Sequence, residues 1–371
     1  MRILVLPPEK TNPYQELLYG EMRRRGVHVT YLGALTPSQT LNLLLLPLEM
    51  AARRLGGARV VHLHWVHAFG LYGADRSVVV RGVVEAWFTV WLWVLRASGL
   101  RLVWTAHNVL PLSPVFADDL RGRRRLVDAC DLVIAHSQAT LEQLAALRIV
   151  PRKSAVIPHG PFTEITEASR LRTPGDGHRP RQLVFFGKIR PYKGVDLLLE
   201  AFAALPADLD AHLTVAGECG DASVAAELTE LARRSPERVT LRLGWLSAEE
   251  ASQLLHQADA VVLPYRKITT SGSGVLALCH GRPLVVPLLP GLAELPDDAV
   301  IRYDGTTQGL SGALTSIILA DAAVLAKMSA AAYAYCAEIS WSEIAERTLH
   351  EITLLGAAES PKPLEARTRL K

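Results

Sequence analysis

The chain has 371 residues, 49% of them hydrophobic and 21% charged, which excludes a disordered protein and is too long for one ordinary core, so two domains are expected. Its four cysteines, Cys130, Cys219, Cys279 and Cys336, lie far apart with no CxxC pair, which argues against a zinc site or a disulfide framework and favours a reducing cytoplasm. The net charge of +3 hides an asymmetry: residues 1–160 hold 19 Lys+Arg against 11 Asp+Glu and the remainder 21 against 26, so the first part is the one expected to meet anions.

The opening run MRILVLPPEK has a short apolar stretch before two prolines, too short for a signal peptide and right for a buried strand at 3–6. The loop that follows, PPEKTNPYQELL, holds one carboxylate, Glu9, and the polar side chains of Asn12, Tyr14 and Gln15; Asn12-Pro13 also reads as the cap of a helix beginning near Tyr14. Further strands are predicted at 27–32, 60–63, 102–105 and 132–135, separated by amphipathic helices. After the third strand, VVHLHWVHAFG places His62, His64 and His67 close together without an acidic partner, so a metal site is not expected. Ligand contacts by His64 or Trp65 and simple strand-end packing are both open. Residues 79–95 contain Trp87, Trp91 and Trp93; with the apolar LNLLLLPLEM at 41–50 they read either as a buried helix or as a segment docked at a membrane interface. LVWTAHNVLP ends a buried strand at His107-Asn108, where an imidazole can hydrogen-bond a ligand hydroxyl or move a proton. Arg121, Arg123, Arg124 and Arg125 form a second basic cluster. This domain is expected over 1–165, followed by a linker at 166–181 that collects Pro, Gly and Thr.

The strand-helix alternation restarts over 182–338, with strands predicted at 183–186, 213–216, 239–243, 260–263, 284–286 and 300–303. FFGKIRPYKGVDLLLEAF joins a strand, a turn at Gly187, two cations (Arg190 and Lys193) and a helix opening at Gly194, which together make a diphosphate clamp. Downstream, Thr270, Ser271, Gly272, Ser273 and Gly274 lie between a strand and a helix and read as an anion cradle. A long amphipathic helix at about 339–356 closes the chain before a polar tail.

These motifs resemble the GT-B glycosyltransferases, and within them family 4 and related exopolysaccharide-type transferases. The resemblance rests on Gly187, Arg190, Lys193 and Gly194, on VIPHG (156–160), LTVAGE (213–218), LGWLSAEEASQLLHQADAVVLPY (243–265) and GRPLVV (281–286). It implies an α/β fold of two Rossmann-like domains facing a cleft, with the C-terminal helix packing back on the first domain. The activity implied is a metal-independent hexosyltransferase that moves a sugar from a UDP or GDP donor to a hydroxyl acceptor. Catalytic roles would fall to His107, Arg190 and Lys193, and donor contacts to Gly187, Glu218, Leu246, Tyr265 and Thr270 to Gly274; Glu9 would be the base if the reaction inverts, with Asn12, Tyr14, Gln15, His64, Trp65 and Asn108 on the acceptor or sugar side. The departure from the family pattern is at its paired glutamates, whose places are taken by Ile268 and Leu276. The acceptor stays open between a lipid-linked glycan in polysaccharide assembly and a soluble natural product, and a non-catalytic nucleotide-sugar-binding protein is the rival from another class. No cofactor and no nucleic-acid partner are expected. The expected location is the cytoplasm, with peripheral attachment at the inner face of the cell membrane as the variant that the tryptophans suggest.

Overall fold

The computed structural model describes residues 1–9, 12–70, 77–111, 113–161 and 180–357. The expected linker, apart from Pro180 and Arg181, and the polar tail lie outside the described residues. The chain divides into two compact units, one formed by 1–135, 144–157 and 342–371, the other by 136–143 and 158–341.

In the first unit six strands form one parallel sheet: β1 (Arg2–Leu6), β2 (His28–Tyr31), β3 (Val60–Leu63), β4 (Arg101–Ala106), β5 (Leu132–Ala135) and β6 (Ser154–Val156), in the order β2-β1-β3-β4-β5-β6. β3 and β5 are buried at every residue, which is why VVHL and LVIA read as continuous apolar runs rather than alternating ones. The order changes direction between β1 and β3, and at such a switch point the loops leaving the carboxyl ends of the strands part to leave a crevice. The connecting helices are α1 (Tyr14–Arg24), α2 (Gln39–Leu55), α3 (Val78–Ala97) and α4 (Asp119–Ala129), with α5 (Gln138–Ala146) divided between the two units after residue 143. Ser38, Ser77 and Asp118 cap α2, α3 and α4 by accepting from backbone amides of their first turns.

In the second unit β7 (Arg181–Phe186), β8 (Ala211–Ala216), β9 (Val239–Arg242), β10 (Ala260–Val262), β11 (Leu284–Pro287) and β12 (Val300–Tyr303) form a parallel sheet in the order β12-β11-β10-β7-β8-β9. Here the switch point is between β7 and β10. Its helices are α6 (Val195–Ala203), α7 (Ala222–Ala232), α8 (Ala248–Gln257), α9 (Gly272–Cys279), α10 (Thr307–Leu319) and α11 (Ala322–Ala337). α12 (Trp341–Ala357) returns to the first unit: Arg347 Nη2 donates to Val156 O at 2.7 Å and Lys153 pairs with Glu351 at 2.8 Å.

Two sequence expectations change, and one pairing is added. Trp91 is fully buried, stacked on Phe88 and tilted against Phe69, because its position on α3 faces the sheet; it cannot meet a membrane surface. The Arg121 to Arg125 cluster is largely committed: Arg121 and Arg125 hold the buried Glu85 carboxylate, and Arg123 is buried over the Trp104 ring with Nε donating to Val109 O at 2.7 Å. The cysteines are all free, yet the fold brings two distant ones together, with the Cys279 and Cys336 sulfurs 2.8 Å apart.

Candidate functional site

Each switch point gathers sequence-predicted residues. In the first unit β1 ends in the Pro7-Pro8-Glu9 loop, β3 in His64-Trp65 and β4 in His107-Asn108. The loop is braced by Gln15, whose Oε1 accepts from Glu9 N at 3.0 Å and whose Nε2 donates to Pro7 O at 2.8 Å. Gln15 is fully buried, so it serves the loop and leaves the set of sugar-facing candidates. Asn12 Oδ1 accepts from Tyr14 N at 2.9 Å, the local capping use of that side chain. His107 is half-buried, stacked on Trp65 at 4.5 Å, and Tyr14 meets it edge-on at 4.7 Å; Asn108 is half-buried beside it.

Behind His107 runs a chain of hydrogen bonds that the sequence did not suggest. His107 Nε2 and His64 Nδ1 are 3.0 Å apart, His64 Nε2 is 2.6 Å from the Tyr19 hydroxyl, the same hydroxyl is 2.8 Å from His62 Nδ1, and His62 Nε2 is 2.8 Å from Thr105 Oγ1. Period-two spacing puts His62 and His64 on one face of β3, which is the signal that links them. Tyr19 carries one proton, so it donates to one imidazole and accepts from the other, and either choice fixes every tautomer in the neutral chain. When Tyr19 donates to His62, His107 donates through Nε2 and its Nδ1 carries no proton; when Tyr19 donates to His64, the proton of His107 is on Nδ1. Burial drives the His62 pKa down to about 3 and pushes the Tyr19 phenol well above its ordinary value, so the interior of the chain stays uncharged at neutral pH. Among the described residues no group of three His, Cys, Asp or Glu is placed to hold a metal, and the side chain of His67 lies outside the described set.

The second unit's switch point has the opposite character. Gly187 has φ +109°, and a Cβ there would come within 3.3 Å of Ser273 Oγ, so the turn after β7 passes close to the start of α9. Gly194 has φ +68°, and a Cβ on it would sit 2.0 Å from Pro264 O; only glycine lets the β7 loop lie against the β10 loop. Arg266 fastens the same two loops, donating to both carboxylate oxygens of Asp196 at 2.7 and 2.6 Å, while its backbone N donates to Tyr192 O at 2.8 Å. Across this seam Lys193 Nζ donates to the Tyr265 hydroxyl at 3.1 Å and lies 4.4 Å from that ring's centroid. Tyr265 is 3.2 Å from Ser271 Oγ, which accepts from Gly274 N at 3.0 Å and so caps α9. Burial pulls the Lys193 pKa down, but Tyr265 and Tyr192 outweigh it and leave the pKa above its ordinary value, so the ammonium stays charged.

Arg190 is exposed and lies against Gly220, where a Cβ would be 3.2 Å from Nη1. Hydrogen bonds from Ser223 and Val224 hold the nearby Asp221 carboxyl below its usual range, with Arg190 adding to the effect. Thr270 Oγ1 is buried without a hydrogen-bond partner among the described residues. Glu218 is half-buried, its carbonyl accepting from Ile189 N at 2.8 Å. Leu246 packs on the core just before Ser247, which caps α8 in a reciprocal box with Glu250. Ile268 and Leu276 also pack against the core, apolar where the family pattern has glutamates. Sequence reading passed over Trp245, 76% exposed in the loop after β9, although a tryptophan between Gly244 and a helix cap has no core to join.

Comparison with known proteins bears on the fold and the family. Residues 3–164 match the model for Glycosyltransferase Family 4 and residues 180–319 that for Glycosyl transferases group 1. A GDP-mannose:glycolipid 4-beta-D-mannosyltransferase from Xanthomonas campestris pv. campestris is 26% identical over 265 residues, covering 70% of this chain and 71% of that protein. A D-inositol 3-phosphate glycosyltransferase from Mycolicibacterium vanbaalenii is 28% identical over 249 residues, covering 62% of this chain and 54% of that protein. Among solved structures, sucrose-phosphate synthase from Thermosynechococcus elongatus superposes with a TM-score of 0.73 at 17% identity, covering 96% of this chain and 99% of that one. Anabaena HepE in complex with UDP gives 0.71 at 18% identity, covering 95% of this chain and 100% of that one. With one family model on each of its two parallel-sheet halves, the chain belongs to the GT-B glycosyltransferases of the family 4 and group 1 kind.

Proposed function

We propose that this glycosyltransferase takes its sugar from a UDP- or GDP-linked donor, held by the second unit, and delivers it to a hydroxyl of a lipid-linked glycan in polysaccharide assembly. It would work in the cytoplasm at the inner face of the membrane. The observation that carries the donor assignment is the chain Lys193–Tyr265–Ser271–Gly274 at the β7/β10 switch point, with Arg190 on the same loop. Breaking the sugar–phosphate bond leaves negative charge on the nucleoside diphosphate. Lys193, Arg190 and the amides opening α9 supply positive potential where that charge develops. The Thr270, Ser271 and Ser273 hydroxyls stand where the apolar Ile268 and Leu276 offer nothing, and take over contacts a carboxylate would make. Trp245 supplies an exposed face on which the donor base stacks.

His107 is assigned the sugar or acceptor hydroxyl, as hydrogen-bond partner or proton acceptor, with its tautomer set by His64, Tyr19 and His62. Glu9 is the alternative base for an inverting reaction, and Tyr14, Asn12, Asn108, His64 and Trp65 line the same strand ends. The glycolipid acceptor is favoured by the name of the Xanthomonas relative, which also puts GDP-mannose first among donors to try. The test is a thermal-shift panel of UDP- and GDP-sugars on the intact chain, followed by turnover of the best one. One nucleotide sugar should raise the melting temperature, and Lys193→Ala should abolish the rise. A panel with no responder, or a response indifferent to Lys193→Ala, defeats the reading.

A further inference from the structure

The first unit exposes apolar side chains that its core does not use. Along α2, Leu41, Leu44, Leu48 and Leu55 are exposed, Leu48 at 70%; at 100° per residue they fall within one narrow arc of the helix. Along α3, Val79, Val83, Val90 and Trp93 form a second such stripe, with Val79 at 78% and Trp93 at 70%. The helices lie side by side and run in the same direction. Near the start of α2, Leu43 O accepts from Trp87 Nε1 at 3.1 Å, and at the far end Arg54 Nε donates to Ser98 O at 3.0 Å. Both helices follow rightward steps in the strand order, so right-handed crossovers put them in one layer.

Charge on this layer is one-sided. The acidic residues of α2 and α3 are Glu49 and Glu85, and both are buried. Glu49 accepts from Gly33 N at 2.9 Å, and Glu85 is held by Arg121 and Arg125. The exposed ionisable side chains on the two helices are Arg53 and Arg96, both near the C-terminal ends; Arg53 pairs with Glu49 on the core side of α2, away from the leucine stripe, and Arg96 flanks the α3 stripe with Nη2 donating to Asp128 O at 2.7 Å. An apolar surface to which its own two helices add an arginine at the edge and no exposed carboxylate fits one partner better than another folded protein, namely a bilayer with anionic headgroups. The α3 sequence reaches a mean hydropathy of 1.7 over 18 residues, long and apolar enough to cross a membrane by composition. Its inner face is nevertheless core, through Phe88, Trp91 and Leu95, so the helix can lie on a bilayer but not leave the sheet to span one.

We infer that the α2–α3 layer docks on an anionic phospholipid surface, with Leu44, Leu48, Val83 and Trp93 entering the interface and Arg96, at the edge of the α3 stripe, meeting headgroup phosphates. The inference deepens the lipid-linked acceptor reading and rests on it for its purpose, while the surface itself stands on these exposures. Tryptophan suits that depth, its ring apolar and its N–H able to stay wet.

The test uses the full chain, without substrates, in flotation with vesicles of phosphatidylcholine alone or mixed with phosphatidylglycerol. Binding should need phosphatidylglycerol, weaken in high salt, and fall about tenfold in Leu48→Gln/Trp93→Gln, whose exposed positions leave the thermal melt unchanged. Arg96→Gln should cost a smaller factor, only on anionic vesicles. In the unaltered chain, brominated lipids should quench tryptophan fluorescence, and Trp93→Phe should remove most of that quenching. Equal binding by wild type and the double variant overturns the proposal, as does quenching that survives Trp93→Phe. So does a concentration-dependent dimer that the double variant abolishes without any vesicle binding, which would assign the surface to a second copy of the chain. Nucleotide-sugar hydrolysis or transfer to a soluble acceptor, measured separately, tells a failure of docking from a failure of the transferase assignment.

Discussion

The two switch points are built on the same topological device and chemically they are opposites. At β1/β3 the strand ends carry imidazoles, phenols, an indole and the Glu9 carboxylate, with His62 kept neutral by burial and the hydrogen-bonded chain running through His107, His64, Tyr19, His62 and Thr105. At β7/β10 they carry a charged lysine, an arginine, hydroxyls and the start of a helix. A polarisable pocket backed by neutral imidazoles suits hydroxyls and proton exchange, whereas a cationic one suits a diphosphate. The division of labour is therefore written into which residues terminate the strands, not into the sheets.

The largest effect expected is at the cationic site. Lys193→Ala should lower kcat/KM for transfer by about a thousandfold, since a preorganised cation acting on a leaving group is worth roughly that much. Lys193→Arg should recover only part of it, because a guanidinium does not fit the phenol contact. Steady-state kinetics checks both, and near-normal turnover in Lys193→Ala would erase the contrast between the sites. Next comes His107→Asn, expected to lower kcat by about a hundredfold while nucleotide-sugar binding, read by calorimetry, stays intact. Loss of donor binding there would mean that the first unit also holds the donor.

The third prediction sets the two units against each other through acid. Burial holds both His62 and His159 at a pKa of about 3, with His136 adding to the effect on His159, against about 6.5 in an unfolded chain. Between those values the unfolded chain binds more protons, so stability is lost as pH falls below about 6.5, by roughly 2 kcal/mol per histidine at pH 5. Urea midpoints at pH 7 and 5 measure the loss. His62→Asn should flatten it for the first unit only, and His159→Asn for the second only. The smallest effect belongs to Trp245→Ala, which should raise the donor KM about tenfold through lost stacking and leave kcat alone. An unchanged KM would place the base elsewhere.

Much of this was legible in the chain. Strands such as VVHL and LVIA show their double-sided burial as unbroken apolar runs, and Gly187, Arg190, Lys193 and Gly194 announce a strand-to-helix turn by local spacing alone. What escaped was pairing between distant segments. Tyr19 sits mid-helix and looks like any core tyrosine until the fold sets it between His62 and His64. Arg266 looks like a surface charge until Asp196, on the helix after β7, receives it. The three tryptophans of α3 read alike in sequence, but helical phase buries Trp91 and exposes Trp93.

The phenol of Tyr265 has a consequence for speed as well as for placement. A lysine side chain in water explores many rotamers and gives up about 2 kcal/mol of that freedom when it is fixed on an anion. Lys193 has already given up much of it, since its ammonium rests on the Tyr265 hydroxyl and over the ring. An arriving phosphate needs only to replace one oxygen with another within reach of the same nitrogen. The cation is then in position before the reaction begins, and little reorganisation stands between binding the donor and breaking it.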